Sequence, residues 1–572
     1  MLKLWRTKLD ENFAPGATNS SESHSSALDS RTSALDRLLW LLLPACASAL
    51  LLATTNKLCQ DVAVVPFLWV LPLALYLLTF IICFDSPHWY VRAPFVLALV
   101  VALTGLCWVL FQGTDASLRM QIGIYSAGLF VCCMVCHGEL YRLRPDPRLL
   151  TGFYLMIAAG GALGGLFVAV GAPLLFTDYY EMHWGILFCG LLFIVVCVRE
   201  KSSAGSREWR WLACALTLAV FAGLDQGLAH LVGRSAVLPK GAFIGLRVGM
   251  WVLLALIVTS WIVRKKFQTF PYWRLLTCVW LVPGWLVLAA ALWLQVSQSD
   301  DNVVSRSRNF YGTLKVSENR KNEPDGHYFL LQHGRITHGL QFVDPVRATW
   351  ATTYYAEGSG IELAVRALPS AGRRIGVVGL GTGTMTAFGR AGDYLRVYEI
   401  NREVQRLATS RFTYLGNSPA QVELVLGDAR LSLEREPPQN FDLLALDAFS
   451  GDAIPVHLLT REAFELYARH LKTNGIIAVH ISNRYLDLEP VIVNLARHFN
   501  YKLAVISYDE DDVDEEVESD WWMYSSTWVL LTHSEEIVNS PAISSAASAL
   551  KTNAVKIPLW TDDFASLFQV ME

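Results

Sequence analysis

The stretch Arg374-Ile-Gly-Val-Val-Gly379-Leu-Gly381-Thr-Gly383 decides how the second half of this chain folds. A short apolar run, Ile375–Val378, passes directly into three glycines at alternate positions. Buried parallel strands read as short apolar runs. Glycines that follow one let the backbone turn sharply and let a ligand approach the next helix. The loop is weak evidence alone, and its neighbours decide what it means. A second strand is expected at Leu395–Tyr398, ending in Glu399. A third, Val422–Leu426, runs into Gly427-Asp428-Ala429, and a fourth, Leu443–Leu446, ends in Asp447. Apolar strands alternating with amphipathic helices predict a doubly wound, Rossmann-like α/β sheet.

Ligands of such sheets bind at the carboxyl ends of the strands. Glu399 stands where a carboxylate accepts both ribose hydroxyl hydrogens, and Asp428 where an acid meets the adenine amino group. An NAD-binding domain shares the glycines and the first acid but has no need of the two that follow. The cofactor-binding residues expected are Gly379, Gly381, Thr382, Gly383, Glu399, Asp428 and Ala429, around an adenosyl sulfonium of the S-adenosylmethionine type.

Before this domain the chain is of a different kind. Mean hydropathy is +0.34 with 53% hydrophobic residues, too apolar for a soluble protein of 572 residues. The excess lies between residues 38 and 296. Runs able to cross ~30 Å of hydrocarbon are placed at Leu38–Ala53, Val64–Phe84, Ala93–Phe111, Ile122–Cys136, Leu149–Phe176, Trp184–Val198, Trp211–Val232, Ala242–Val263 and Leu275–Val296. The first, fourth and sixth are short, so eight or nine spans are expected in a multi-pass inner-membrane protein. Residues 1–37 are polar, lack the apolar core of a cleavable signal and read as a disordered tail. Gly160, Gly161, Gly164 and Gly165 form a small-xxx-small pattern that lets helices pack closely. Asp225 and Arg247 fall inside spans, as an ion pair or a transport site. His137 and Glu139 sit at a helix end.

All 11 cysteines precede residue 297. Cys133-Met-Val-Cys136-His137 spells a haem-attachment motif, but with Cys132 these residues read as small buried hydrophobes, and no metal is expected. The loops with Arg142, Arg144 and Arg148, with Arg199, Lys201, Arg207 and Arg210, and with Arg264, Lys265 and Lys266 are the basic ones. The positive-inside rule makes them cytoplasmic, with the N-terminus. Nine spans would then export the C-terminal domain, whereas an adenosyl sulfonium is made in the cytoplasm. An eight-span or re-entrant arrangement with a cytoplasmic domain is therefore expected.

From residue 297 on, 25 Lys and Arg face 36 Asp and Glu. That acidity argues against nucleic acid as a partner. The apolar run ends at Gln295–Asp301, and short alternating runs within 309–343 predict a small antiparallel β appendage. The expected division is a tail at 1–37, a transmembrane helical domain at 38–296, a β subdomain at 305–365 and the Rossmann-like domain at 366–572. Asp509–Asp520 reads as a solvated acidic loop, and Trp560-Thr-Asp562-Asp563 as a capped terminal segment that could close over the site.

At these residues the sequence resembles the spermidine synthase family of aminopropyltransferases, and most of all its bacterial members fused to a membrane domain. Pro66-Phe-Leu-Trp-Val-Leu-Pro-Leu-Ala-Leu-Tyr76 extends that resemblance into the membrane half. It implies a methyltransferase-like fold behind a small β domain, often dimeric. It also implies decarboxylated S-adenosylmethionine as donor, a diamine as acceptor and no metal. Glu399 then matches the ribose-binding acid, Asp428 the adenine-side acid and Asp447 the first acid of the catalytic loop. Tyr355 and Asp452 assist Asp447. Three departures accompany these matches. Thr382 replaces an acid that meets the aminopropyl amine, Ser450 replaces the second catalytic acid, and Thr337, beside His338, replaces a glutamine. Methyl transfer from intact S-adenosylmethionine, and a transporter or sensor whose soluble domain only binds, are the alternative readings.

Overall fold

The computed structural model describes residues 33–61, 66–113, 116–199, 273–298, 302–334, 336–449, 455–483, 486–508, 520–551 and 557–571. Expectations for residues 1–32, Asp225, Arg247, the spans at 211–232 and 242–263, Ser450, Asp452 and 509–519 lie outside them.

The first half is a helical bundle. Its helices are α1 (Ala34–Asp61), α2 (Pro66–Asp85), α3 (Arg92–Gln112), α4 (Leu118–Arg142), α5 (Leu150–Leu166), α6 (Glu181–Arg199) and α7 (Trp273–Gln298). A π-helical turn, Phe167–Gly171, carries α5 on to Leu175. Five of these stretches are long and apolar enough to cross a bilayer, namely Ala34–Cys59, Leu68–Asp85, Arg119–Arg142, Pro147–Leu175 and Glu181–Arg199. Residues 34–37, expected in the tail, belong to α1, because Asp36 pairs with Arg199 at the end of α6.

The glycine stripe packs α5 against α1. A Cβ on Gly160 or Gly164 would lie 2.2 Å from the carbonyl oxygen of Leu41 or Ala45, so neither position admits a side chain. Ser48 Oγ donates to the Gly161 carbonyl across the same seam (2.8 Å). His137 and Glu139 are structural polar groups. His137 Nδ1 meets Thr79 Oγ1 (3.1 Å), and Glu139 accepts from Tyr90 (2.8 Å) and pairs with Arg92.

The ends of the bundle are chemically distinct. At one end Asp36 meets Arg199, Trp40 donates to the Leu143 carbonyl, and Arg142, Arg144 and Arg148 follow. At the other, His183 meets Gln295, and Gln295 donates to the Leu110 carbonyl. The second half of the chain docks on this latter end. Arg308 forms a two-pronged ion pair with Glu181 (2.6 and 3.0 Å), donates to the Asp178 carbonyl and lies 4.1 Å over the Tyr179 ring. The α/β domain thus docks at the end of the bundle away from Asp36 and Arg199. Asp36 and Glu181 lie at opposite ends of the bundle.

Strands β1 (Val303–Asn309), β2 (Gly312–Asn319), β3 (Tyr328–His333) and β4 (Ile336–Phe342) form an antiparallel meander. After α8 (Gly360–Arg366) come β5 (Arg374–Val378), β6 (Tyr394–Glu399), α9 (Arg402–Arg411), β7 (Gln421–Leu426), α10 (Ala429–Arg435) and β8 (Phe441–Leu446). They are followed by α11 (Arg461–His470), β9 (Leu471–His480), α12 (Glu489–His498), β10 (Lys502–Tyr508), β11 (Ser526–Thr532) and β12 (Ala547–Ser548). One eight-stranded sheet has the order β12-β10-β11-β9-β8-β5-β6-β7. It is parallel from β7 to β9, as expected, but β11 runs antiparallel to both β9 and β10. Strand β8 is buried at every position and sits in the middle of this sheet. That explains its unbroken apolar run.

Candidate functional site

The carboxyl ends of β5, β6, β7 and β8 surround one cleft, and the β meander closes its far wall. The cleft encloses about 810 Å³, its open mouth included. Gly379, Gly381, Glu399, Asp428, Ala429 and Asp447 line it, facing Tyr311, His333 and His338 of the meander.

The glycines have a cause besides ligand approach. Gly379 (φ +102°) lies where a Cβ would come within 2.1 Å of the Asp447 carbonyl oxygen. Gly381 (φ +53°) would meet the His338 carbonyl oxygen at 2.7 Å. The loop after β5 is thus pressed between the end of β8 and the meander. Thr382 does not face the cleft. It is buried against Gly339 of β4, and its hydroxyl bonds Thr384 (2.7 Å). Gly383 stands behind it, capping a short 3-10 turn at Thr384–Phe388. Neither lines the cleft, contrary to expectation, because the tight turn at Gly381 directs the chain away from it.

Glu399 is held from below. Its carboxylate accepts N–H groups from Leu380 (3.0 Å) and Asn401 (2.7 Å). Burial raises its pKa above the ordinary range, and the backbone donors only partly oppose the rise. Asp428 caps α10, accepting the Leu431 N–H (2.9 Å), and its second oxygen lies 3.1 Å from His457 Nε2. Next to it, Arg430 is clamped by Asp562 (2.7 and 2.5 Å). The Trp560–Asp563 segment thereby braces the wall of the cleft beside Asp428.

Asp447 has the most elaborate surroundings. Tyr355 Oη donates to one carboxylate oxygen (2.5 Å), and His480 Nδ1 meets the other (2.8 Å). Burial, with the Asp447 charge adding to it, drives the Tyr355 pKa upward, so its phenol stays protonated and donates. The His480 ring is stacked between Tyr354 (4.7 Å) and Trp528 (4.6 Å). Its Nε2 meets Ser482 Oγ (2.8 Å), which accepts the Thr527 N–H (2.7 Å).

His480 was not identified from sequence, although the signal was present. In the parallel pair β8–β9, Leu446 is in register with Val479, so the residues after them, Asp447 and His480, are neighbours. His338 is a second addition. It is half-buried, its Nε2 is shut from solvent with no hydrogen-bond partner, and burial with neighbouring histidines lowers its pKa to about 3. A neutral imidazole with an unsatisfied nitrogen therefore lines the cleft. Asp452 lies outside the described residues.

No family model matches the chain. It is similar to the polyamine aminopropyltransferase of Vibrio vulnificus, 30% identical over 112 residues, which are 19% of this chain and 37% of that relative. Among solved structures, the spermidine synthase from Thermotoga maritima aligns over 46% of this chain and 82% of its own length, with 11% identity and a TM-score of 0.30. A probable spermidine synthase from Corynebacterium glutamicum covers 42% and 85%, with 20% identity and a TM-score of 0.32. A precorrin-6y C5,15-methyltransferase from Geobacter metallireducens covers 30% and 87%, with 14% identity and a TM-score of 0.24.

Proposed function

We propose that this chain is a membrane-anchored transferase that binds decarboxylated S-adenosylmethionine in the cleft and passes its aminopropyl group to a small amine. The carrying observation is the set of three carboxylates, Glu399, Asp428 and Asp447, at the ends of β6, β7 and β8 around one cleft. Glu399 holds the ribose and Asp428 the adenine. Asp447 receives the acceptor amine. The amine lone pair attacks the propyl carbon beside the sulfonium, and the carbon–sulfur bond breaks. Its electron pair leaves on sulfur as neutral methylthioadenosine, and the product carries its charge away as a secondary ammonium. An alkyl amine of pKa ~10 arrives protonated, so Asp447 first attracts it and then takes one proton, which frees the lone pair before the attack. His338, neutral at physiological pH, lets the cation enter without repulsion.

Incubating the purified full chain with this donor and a panel of diamines tests the proposal. Release of methylthioadenosine with at least one acceptor is expected, and its absence with all of them overturns the reading. Donor affinity should fall on acidification from a higher pH than an ordinary glutamate (pKa about 4.3) would give. The raised Glu399 pKa means that its carboxylate, which must accept the ribose hydroxyls, is protonated early. Methyl transfer is the second reading. It is favoured by Thr382, which presents no acid to the cleft for the donor's amine. Tighter calorimetric binding of intact than of decarboxylated S-adenosylmethionine would select it.

The bundle sets a condition on either reaction. Arg142, Arg144, Arg148 and Arg199 lie at the end away from the α/β domain, so a bilayer orientation set by the basic loops carries the domain outside the cytoplasm. A reporter fused after residue 572 checks this, and the expected result is an active alkaline phosphatase and a dark green fluorescent protein. The donor must then be supplied on that side. A cytoplasmic reporter would mean that the domain overrides the loops and meets the donor where it is made.

A further inference from the structure

Three thiols of the helical bundle converge on one point, with a fourth one helical turn away. The Sγ atoms of Cys46 on α1, Cys136 on α4 and Cys189 on α6 all lie within 4.8 Å of one another. Cys132, one turn before Cys136 on the same face of α4, is buried beside this group. Each is at most 1% exposed, and none is in a disulfide. The i, i+4 spacing puts Cys132 and Cys136 on one face of α4, and two other helices each bring a single cysteine to that face. Other buried cysteines of the bundle point elsewhere. Cys83 turns to Met134, and Cys133 to the Ala47 carbonyl. Packing accounts for those, but it does not require three helices each to bring a sulfur to one point.

We propose that Cys46, Cys132, Cys136 and Cys189 form a binding site for a soft, thiophilic metal ion, zinc(II) or copper(I). An all-sulfur donor set selects these ions over magnesium, calcium or manganese. Metal sites in helical bundles are assembled in this way, from side chains on facing helices. Zinc–sulfur bonds of about 2.3 Å place tetrahedral sulfurs about 3.8 Å apart, so closing Cys46, Cys136 and Cys189 onto an ion takes side-chain adjustments of about 1 Å, and Cys132 turns in as the fourth ligand. The charge balance suits an apolar surrounding. Zinc(II) displacing two thiol protons, or copper(I) displacing one, leaves the site neutral, with the protons released to solvent. No electron transfer is involved. The bound ion joins α1, α4 and α6. The assignment does not rest on the transferase reading, since the cysteines lie in the bundle and the cleft in the α/β domain.

The test uses the full chain in detergent, purified under reducing, oxygen-free conditions. It is loaded separately with zinc(II) and copper(I) and dialysed against a weak chelator, and retained metal is then measured by mass spectrometry. About one ion per chain should remain. Cys189→Ala and the double variant Cys132→Ala/Cys136→Ala should each lower retention at least about tenfold. Cys59→Ala and Cys83→Ala, outside the cluster, should keep it. Should the cluster variants fail to fold, cobalt(II) loading of the unmodified chain still decides the matter, because thiolate ligation gives strong near-ultraviolet charge-transfer absorption. Failure of the unmodified chain to retain zinc or copper, equal retention by Cys189→Ala, absence of the cobalt–thiolate band, or an intrachain disulfide among these cysteines would each overturn the proposal.

Discussion

Asp447→Asn is expected to lower aminopropyl transfer by about 10²–10⁴-fold, the usual worth of a positioned general base, while donor affinity stays within a few-fold. The expectation follows from the donors around the carboxylate. Tyr355 Oη and His480 Nδ1 each take one oxygen and fix the plane of the group. Asparagine keeps the shape and can keep both contacts, its carbonyl accepting from His480 and its amide donating to the Tyr355 oxygen. The site thus survives, but the amide cannot accept a proton from the incoming ammonium. Turnover measured as methylthioadenosine release, beside calorimetric titration of the donor, separates the two effects. A variant with unchanged turnover would remove Asp447 from the reaction. Loss of donor binding together with turnover would instead make Asp447 part of the nucleoside pocket.

The acids of this cleft were legible because a parallel α/β sheet places the residue after each strand on one edge. Glu399, Asp428 and Asp447 could therefore be brought together without any knowledge of loops. The reading stopped one strand early. β9 is also parallel, and the same register logic puts His480 beside Asp447. Thr382 shows the opposite failure. Alternating glycines mark a turn, but a string of residues does not say which side chain the turn will aim at the cleft, and Gly339 of the meander offered Thr382 a seat behind it. His338 was noticed only as the neighbour of Thr337. Its importance depends on burial, which comes from packing between two separate sheets.

In the bundle, helical spans were legible as apolar runs and the glycine stripe as a packing seam. Hydrophobicity does not say which faces meet, so the sequence could not distinguish Cys132, Cys136 and their distant partners from ordinary core residues. Loop charges gave an orientation. The end of the bundle on which the domain sits needed the contact between Arg308 and Glu181.

That contact carries the second large effect. Arg308→Ala is expected to destabilise the joint between bundle and α/β domain by about 3–5 kcal/mol, the cost of leaving one member of a buried ion pair alone. Arg308 and Glu181 side chains are only 4% and 1% exposed, so water cannot take over the lost partner of Glu181. Replacing both together, Arg308→Met with Glu181→Leu, should recover most of the loss, because the penalty lies in the uncompensated charge rather than in the missing attraction. Chemical unfolding of the full chain, followed by tryptophan fluorescence, gives the double-mutant cycle. Donor affinity gives a second readout. Asn309, the residue after Arg308, donates to Asn401 (2.6 Å), whose own N–H is held by Glu399 (2.7 Å). Loosening β1 should therefore weaken donor binding in the single variant and spare it in the double. A single variant as stable as the unmodified chain would mean that the α/β domain does not depend on the bundle for its position. The path from Glu181 to the ribose site would then carry no coupling.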